Sequence, residues 1–125
     1  MTYNEMTRRY FEMPASAGVL SGPWVYRGAA GSREHGTWVQ FDLHAAAGTV
    51  QAARFLAFGC PHTIAVSAWV AEQAVGKPVK RGLPSAVAEL SQRFAVPEEK
   101  LGRLLIVEDA WLAAADAAMA HPGID

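Results

Sequence analysis

At 125 residues, with 11 Lys and Arg against 12 Asp and Glu, the chain is sized for one domain, 1–125, whose core is large enough to fold without staples. Near-balanced charge removes the electrostatic case for nucleic acid. The hydrophobic fraction is 51% but scattered, and no stretch approaches the ~20 apolar residues a membrane helix needs. No membrane partner is therefore expected. Met1 to Arg9 lacks the apolar core of a signal peptide, and the single cysteine, Cys60, agrees with a reducing compartment. The expectation is a cytoplasmic protein.

In chain order, Asn4 to Phe11 suits a short helix, stopped at Met13-Pro14 because the residue before proline is pushed out of the α region. Ala15 to Pro23 is small residues, glycine and proline, which predicts a loop. A first strand is expected over Trp24–Ala29, then a polar, glycine-containing loop from Gly28 to Gly36. Val39, Phe41 and Leu43 alternate with Gln40, Asp42 and His44, so Thr37–His44 reads as a half-buried strand. A short turn at Ala46-Ala47-Gly48-Thr49 leads into a strand over Val50–Phe58, which makes these two antiparallel neighbours.

The second half reads as helical, over Pro61–Val75, Pro84–Arg93 and Pro97–Met119. In the last helix Leu101, Leu104, Leu105, Glu108, Leu112 and Ala115 mark one face. Strands first and helices afterwards predict an α+β fold, a small antiparallel sheet of about three strands with helices packed on it. Lys77, Lys80 and Arg81 form a basic cluster that reads as a solvated loop. Glu108 and Asp109 read as structural, capping a neighbouring element or pairing with Arg54 or Arg103, ahead of the sharper reading as paired carboxylates for acid–base catalysis.

The chemistry centres on Phe58-Gly59-Cys60-Pro61-His62. Pro61 suits the first helical position, because its missing N–H goes unbonded there anyway. Cys60 then becomes the N-cap, its sulfur beside free amide donors and the positive end of the helix dipole, which favours the thiolate. His62 follows in the first turn, where its side chain stays near the sulfur or points to solvent. His35 lies in the loop before the strand that pairs with Cys60's own. With Glu34, these residues would make a mixed sulfur, nitrogen and oxygen site for iron or zinc. His44 and His121 are given no role.

Several segments match one family pattern in order. Tyr10-Phe11-Glu12-Met13-Pro14 followed by Gly18 is similar to the opening Y/H-F-x-x-P-x-N-x-G. Ala52-Ala53-Arg54-Phe55, with Phe58-Gly59-Cys60 and Ile64-Ala65, resembles D-A-R-F-x-x-F-G-C-x-x-x-I-A. Gly76-Lys77, Val96-Pro97-Glu98-Glu99-Lys100-Leu101 and Glu108-Asp109-Ala110 match the later G-K, L-P-x-x-K and E-D-A. Together they resemble the NifU N-terminal/IscU-type iron–sulfur cluster assembly scaffolds over nearly the whole chain.

The resemblance implies a SufE/NifU-like fold and a scaffold, not an enzyme, which builds a nascent cluster on three cysteines with sulfur from a cysteine desulfurase. Only the middle cysteine survives, as Cys60. The first falls at His35, the family's aspartate at Thr37, the third cysteine at Arg103 and the histidine before it at Gly102. The chaperone-recognition stretch L-P-P-V-K stands as Val96-Pro97-Glu98-Glu99-Lys100, which argues against docking of an Hsp70-type chaperone. Arg103 stays protonated and offers donors only, so it would modulate the site without ligating: it would favour an anionic sulfur and repel a cation. Three readings follow. One is a scaffold holding iron or a cluster through Cys60 and His35, with His62 as a further metal ligand. The second is a SufE-like persulfide acceptor. The third is a cofactor-free partner-binding protein of the assembly pathway.

Overall fold

A computed structural model describes residues 3–120, so His121 and the first two residues lie outside the described residues. Helix α1 (Glu5–Glu12) opens the chain, followed by strands β1 (Val25–Ser32), β2 (Thr37–Ala46) and β3 (Thr49–Phe58). Helices α2 (Pro61–Ala74), α3 (Val87–Arg93) and α4 (Leu101–Met119) complete the order. The strands form one antiparallel meander, β1-β2-β3. The expected α+β architecture is the one observed.

The sheet is built on the alternation of β2. Val39, Phe41 and Leu43 are buried on one face, against α2 and α4, and each such side chain stabilises the fold by about 1.5–3 kcal/mol. Ala47 and Gly48 both take positive φ, 52° and 77°, the backbone of the tight turn that matches strand twist. That turn sets the β2–β3 pairing, from Ala46 opposite Thr49 to Trp38 opposite Phe58, with one irregularity at His44/Ala45.

Helix α2 is buried nearly all round, because it lies between the sheet, α1 and α4. Its alanines at 65, 68, 71 and 74 are all buried. Helix α4 crosses β1 at Gly28, where a Cβ would fall 2.1 Å from the Ala114 amide nitrogen and 2.7 Å from the Ala110 carbonyl. Only glycine permits that approach. Helix α1 is capped by Asn4, whose side chain accepts from the Thr7 amide at 2.9 Å. It is tied to the end of α3 by the buried Thr7 hydroxyl, which donates to the Phe94 carbonyl at 2.7 Å.

Several boundaries differ from those expected. β1 begins one residue later, since Trp24 has φ 62°, and it continues to Ser32 through part of the expected loop. The backbone ladder Ala29–Gln40 to Ser32–Thr37 holds those residues in the sheet despite their small, polar character. α3 starts at Val87, not Pro84, and Glu98–Lys100 form a single 3₁₀ turn before α4. The inward face of α4 is Leu104, Val107, Ala110, Trp111, Ala114, Ala115 and Ala118, which includes the expected Leu104 and Ala115, whereas Leu105 is half exposed. At the close crossing itself the α4 backbone from Ala110 to Ala114 comes against Gly28, while Leu104 and Trp111 fill the wider space on either side. Glu108 and Asp109 form no ion pair with Arg54 or Arg103 among the described residues. Arg54 instead donates to the Ala15 carbonyl at 2.9 Å.

The loop over residues 15–23 is tied down along its length. Phe55 exchanges backbone hydrogen bonds with Ser16 and Gly18, and the Leu20 amide donates to the Asp42 carboxylate at 2.9 Å. Arg81, from the basic cluster, pairs with Asp116 on α4 at 2.9 Å while remaining largely exposed.

Candidate functional site

Cys60 is the N-cap residue of α2, with extended backbone (φ −77°, ψ 167°), and Pro61 fills the first helical position. The thiol is partly buried, and its Sγ lies 3.5 Å from the Thr63 hydroxyl. Burial pushes the thiol up. The Thr63 hydroxyl and amide, the Arg103 guanidinium and the His62 amide outweigh it, leaving the thiol below its ordinary value. Each of those groups offers a donor to an anionic sulfur, which is how a helix N-terminus stabilises a thiolate.

Trp38 faces Phe58 in the register, and the β1–β2 turn spans residues 33–36, between paired Ser32 and Thr37. That turn therefore lies at the sheet end where β3 runs out into Cys60. Arg33 stacks over Trp38 at 5.4 Å and over Phe58 at 5.8 Å. His35 is exposed, and its Nδ1 lies 2.6 Å from the Ser32 hydroxyl, which leaves Nε2 as the nitrogen for a ligand.

A cleft of about 660 Å³ separates this turn from the start of α4. Its walls include Ser32, Glu34, His35 and Thr37 on one side and Glu99, Gly102, Arg103 and Ile106 on the other. His35, Thr37, Gly102 and Arg103, distant in sequence, thus line one cavity, and Arg103 also acts on the Cys60 sulfur.

His62 is placed differently. Its ring is buried at 3% exposure and packs edge-on against Tyr3, 4.9 Å between centroids. Among the described residues its Nδ1 has no hydrogen-bond partner. Burial lowers its basicity, positive Lys100 and Arg103 add to this, and the Ala95 carbonyl opposes them. The ring therefore lies inside the protein and does not face solvent. Among the described residues, no three of His, Cys, Asp and Glu are grouped so as to hold a metal ion. The structure thus brings His35 and Arg103 to one cleft, Arg103 being the residue that also reaches the Cys60 sulfur, and places His62 in the packed interior.

Sequence reasoning missed Thr63, Ser32, Glu99 and Ile106. Thr63 was within reach of a local rule, since the third residue after an N-cap commonly exchanges hydrogen bonds with it. Ser32 and His35 share the same three-residue spacing in a turn. Glu99 and Ile106 join the cleft only through the crossing of α4 over the sheet, which no local pattern encodes.

Known proteins resemble this chain in sequence and in fold. A family model described as the NifU-like N terminal domain matches residues 2–122. The iron-sulfur cluster assembly protein IscU of Plasmodium falciparum (isolate 3D7) is 26% identical over 110 residues, covering 86% of this chain and 68% of that protein. The fold is similar to a crystal structure of a NifU-like protein (N-terminal) from Brucella abortus, with TM-score 0.69 and 15% identity over 94% of both chains. A SUF-system scaffold candidate from Fervidobacterium islandicum AW-1 superposes with TM-score 0.56 and 16% identity, also over 94% of both. The family match spans nearly the whole chain, and it follows that the chain belongs to the NifU-like N-terminal domain family.

Proposed function

We propose that this chain is an iron–sulfur cluster assembly protein of the scaffold type, with a nascent cluster as its cargo and Cys60 as the thiolate that receives it. The observation carrying this reading is the convergence of His35, Thr37, Gly102 and Arg103 on one cleft, with Arg103 also acting on Cys60. Family membership and the IscU relative support iron and sulfur as the cargo. A cysteine desulfurase is the sulfur donor in this reading, and the chain acts as carrier, not catalyst.

His35 supplies a second donor, an imidazole that suits iron and zinc alike. Arg103 supplies none, because its guanidinium has only N–H groups to offer. It draws in anionic sulfur and opposes a bare cation. Cys60 and His35 therefore begin a coordination sphere that usually takes four thiolates. The cationic neighbour also favours a second reading, a SufE-like acceptor that holds one sulfur as a persulfide. Family membership favours the scaffold.

The test is transfer. The protein is loaded anaerobically with a cysteine desulfurase, cysteine and ferrous iron, desalted, and mixed with an apo-ferredoxin. Iron and sulfide that survive desalting and reappear in the ferredoxin support the scaffold. Sulfur on Cys60 without iron would replace it with the persulfide acceptor. Retention of neither, with desulfurase binding unchanged by Cys60→Ala, would leave a cofactor-free docking protein.

A further inference from the structure

The cleft lined by His35 and Arg103 has more room and more charge than the chain's own donors use. Its volume of about 660 Å³ lies in the ~300–1,000 Å³ range typical of small-molecule sites. Glu34 and Glu99 bring negative charge to its walls, Arg103 brings positive charge, and Ser32 and Thr37 add hydroxyls. None of the ion pairs Arg8–Glu12, Arg27–Asp42 and Arg81–Asp116 uses these three charged residues. At Gly102 the wall is open, with nothing within 4 Å of where a Cβ would stand.

We propose that this cleft binds a low-molecular-weight aminothiol, free cysteine or a cysteine-containing peptide such as glutathione, whose thiolate adds a further sulfur donor to the coordination sphere begun by Cys60. The inference rests on the cluster-assembly reading. An aminothiol carries an ammonium for Glu34 and Glu99, a carboxylate for the planar fork of Arg103, and a soft sulfur of the kind iron–sulfur clusters require. Other classes match the walls less well. A phosphate or a nucleotide would satisfy Arg103 and be repelled by both glutamates. A bare metal ion would meet the Arg103 charge and find no group of three protein ligands among the described residues. Because Arg103 both lines the cleft and acts on Cys60, a carboxylate held by it anchors the aminothiol next to the Cys60 sulfur.

The test reconstitutes the full chain anaerobically with ferric iron and sulfide, using a non-coordinating phosphine to keep thiols reduced. Parallel arms add nothing, cysteine, glutathione or S-methylglutathione, and native mass spectrometry reads the protein-bound species. The expected result is several-fold more cluster with cysteine or glutathione than with phosphine alone, and a mass that includes the added thiol. The cysteine and glutathione arms identify which source fits, and S-methylglutathione, which has no thiolate, gives no gain. The Glu34→Ala/Glu99→Ala variant should need a several-fold higher thiol concentration to reach the same loading. Equal loading with phosphine alone, free of thiol mass, would overturn the inference and leave cluster assembly standing. An equal gain from S-methylglutathione, or an unchanged thiol requirement in the double variant, would also overturn it. Absence of cluster in every arm would sink the assembly reading itself.

Discussion

Trp38 stands directly opposite Phe58 across the β2–β3 ladder, and the Arg33 guanidinium lies over both rings. The pairing puts the turn that carries His35 at the end of the sheet where the chain leaves β3 for Cys60. Cation–π contacts of this kind contribute about 0.5–1 kcal/mol each at exposed sites, enough to favour one turn position over its neighbours. The site thus depends on strand register, and a slip of one residue would exchange the faces of the strand.

The Cys60 thiol is held below its ordinary value by donors that include Thr63 and Arg103. Alkylation rates followed against pH should place its apparent pKa below that of an ordinary cysteine thiol measured alongside. Arg103→Gln should shift the profile upward and slow alkylation at neutral pH severalfold. A profile that Arg103→Gln leaves in place would remove the arginine from the site.

Much of this was legible in the chain. Alternation through Val39, Phe41 and Leu43 specifies a half-buried strand, and Pro61 after Cys60 specifies a helix start, because both are local consequences of backbone geometry. The extension of β1 to Ser32 was not legible, since its last residues are held by the β2 ladder and not by their own propensity. The inward face of α4 was legible in part: Leu104 and Ala115 lie on it, and Leu105 is half exposed. Leucines carry the stronger local signal, yet the approach to Gly28 decides which face fits. At the site, Cys60 and His35 could be read from the chain. The burial of His62 depends on Tyr3 and on the segment before α4, contacts that are remote in sequence.

Gly28→Val tests that close approach. The added side chain would meet the α4 backbone at Ala110 to Ala114, and backbone cannot move aside as a flexible side chain can. Denaturant unfolding should show a loss of about 2–3 kcal/mol. A stability within experimental error of the parent would mean that α4 does not cross β1 there.

Asp42 is almost fully buried and accepts two hydrogen bonds from Arg27, at 2.7 and 2.9 Å, besides that from Leu20. Burial alone would raise its pKa. Arg27, the Leu20 amide and Gln40 overcome this and hold the carboxyl below 3.8. A depressed carboxylate contributes stability that is present above its unfolded value and lost as pH falls through the folded one. Asp42→Asn should therefore cost about 1–3 kcal/mol near pH 7. The gap from the parent should close as the pH falls from 3.8 through the lower folded value. A gap that stays constant through that range would show that the Asp42 charge contributes nothing.

Restoring thiolates tests the shape of the cargo site. If positions 35 and 103 flank the Cys60 sulfur, His35→Cys combined with Arg103→Cys should hold a cluster without added thiol and keep its visible absorbance through desalting. Arg103→Cys alone should give an intermediate gain. No gain from the pair would mean that the two positions do not converge with Cys60 on one cargo.

The most direct measurement of the central claim is the intact mass of the anaerobically loaded protein under native conditions, wild type against Cys60→Ser. Both are incubated with a cysteine desulfurase, cysteine and ferrous iron. The wild type should gain the combined mass of iron and sulfide, and Cys60→Ser should gain neither while keeping the parent fold by circular dichroism. Equal loading of the two proteins would contradict a cargo site built on Cys60.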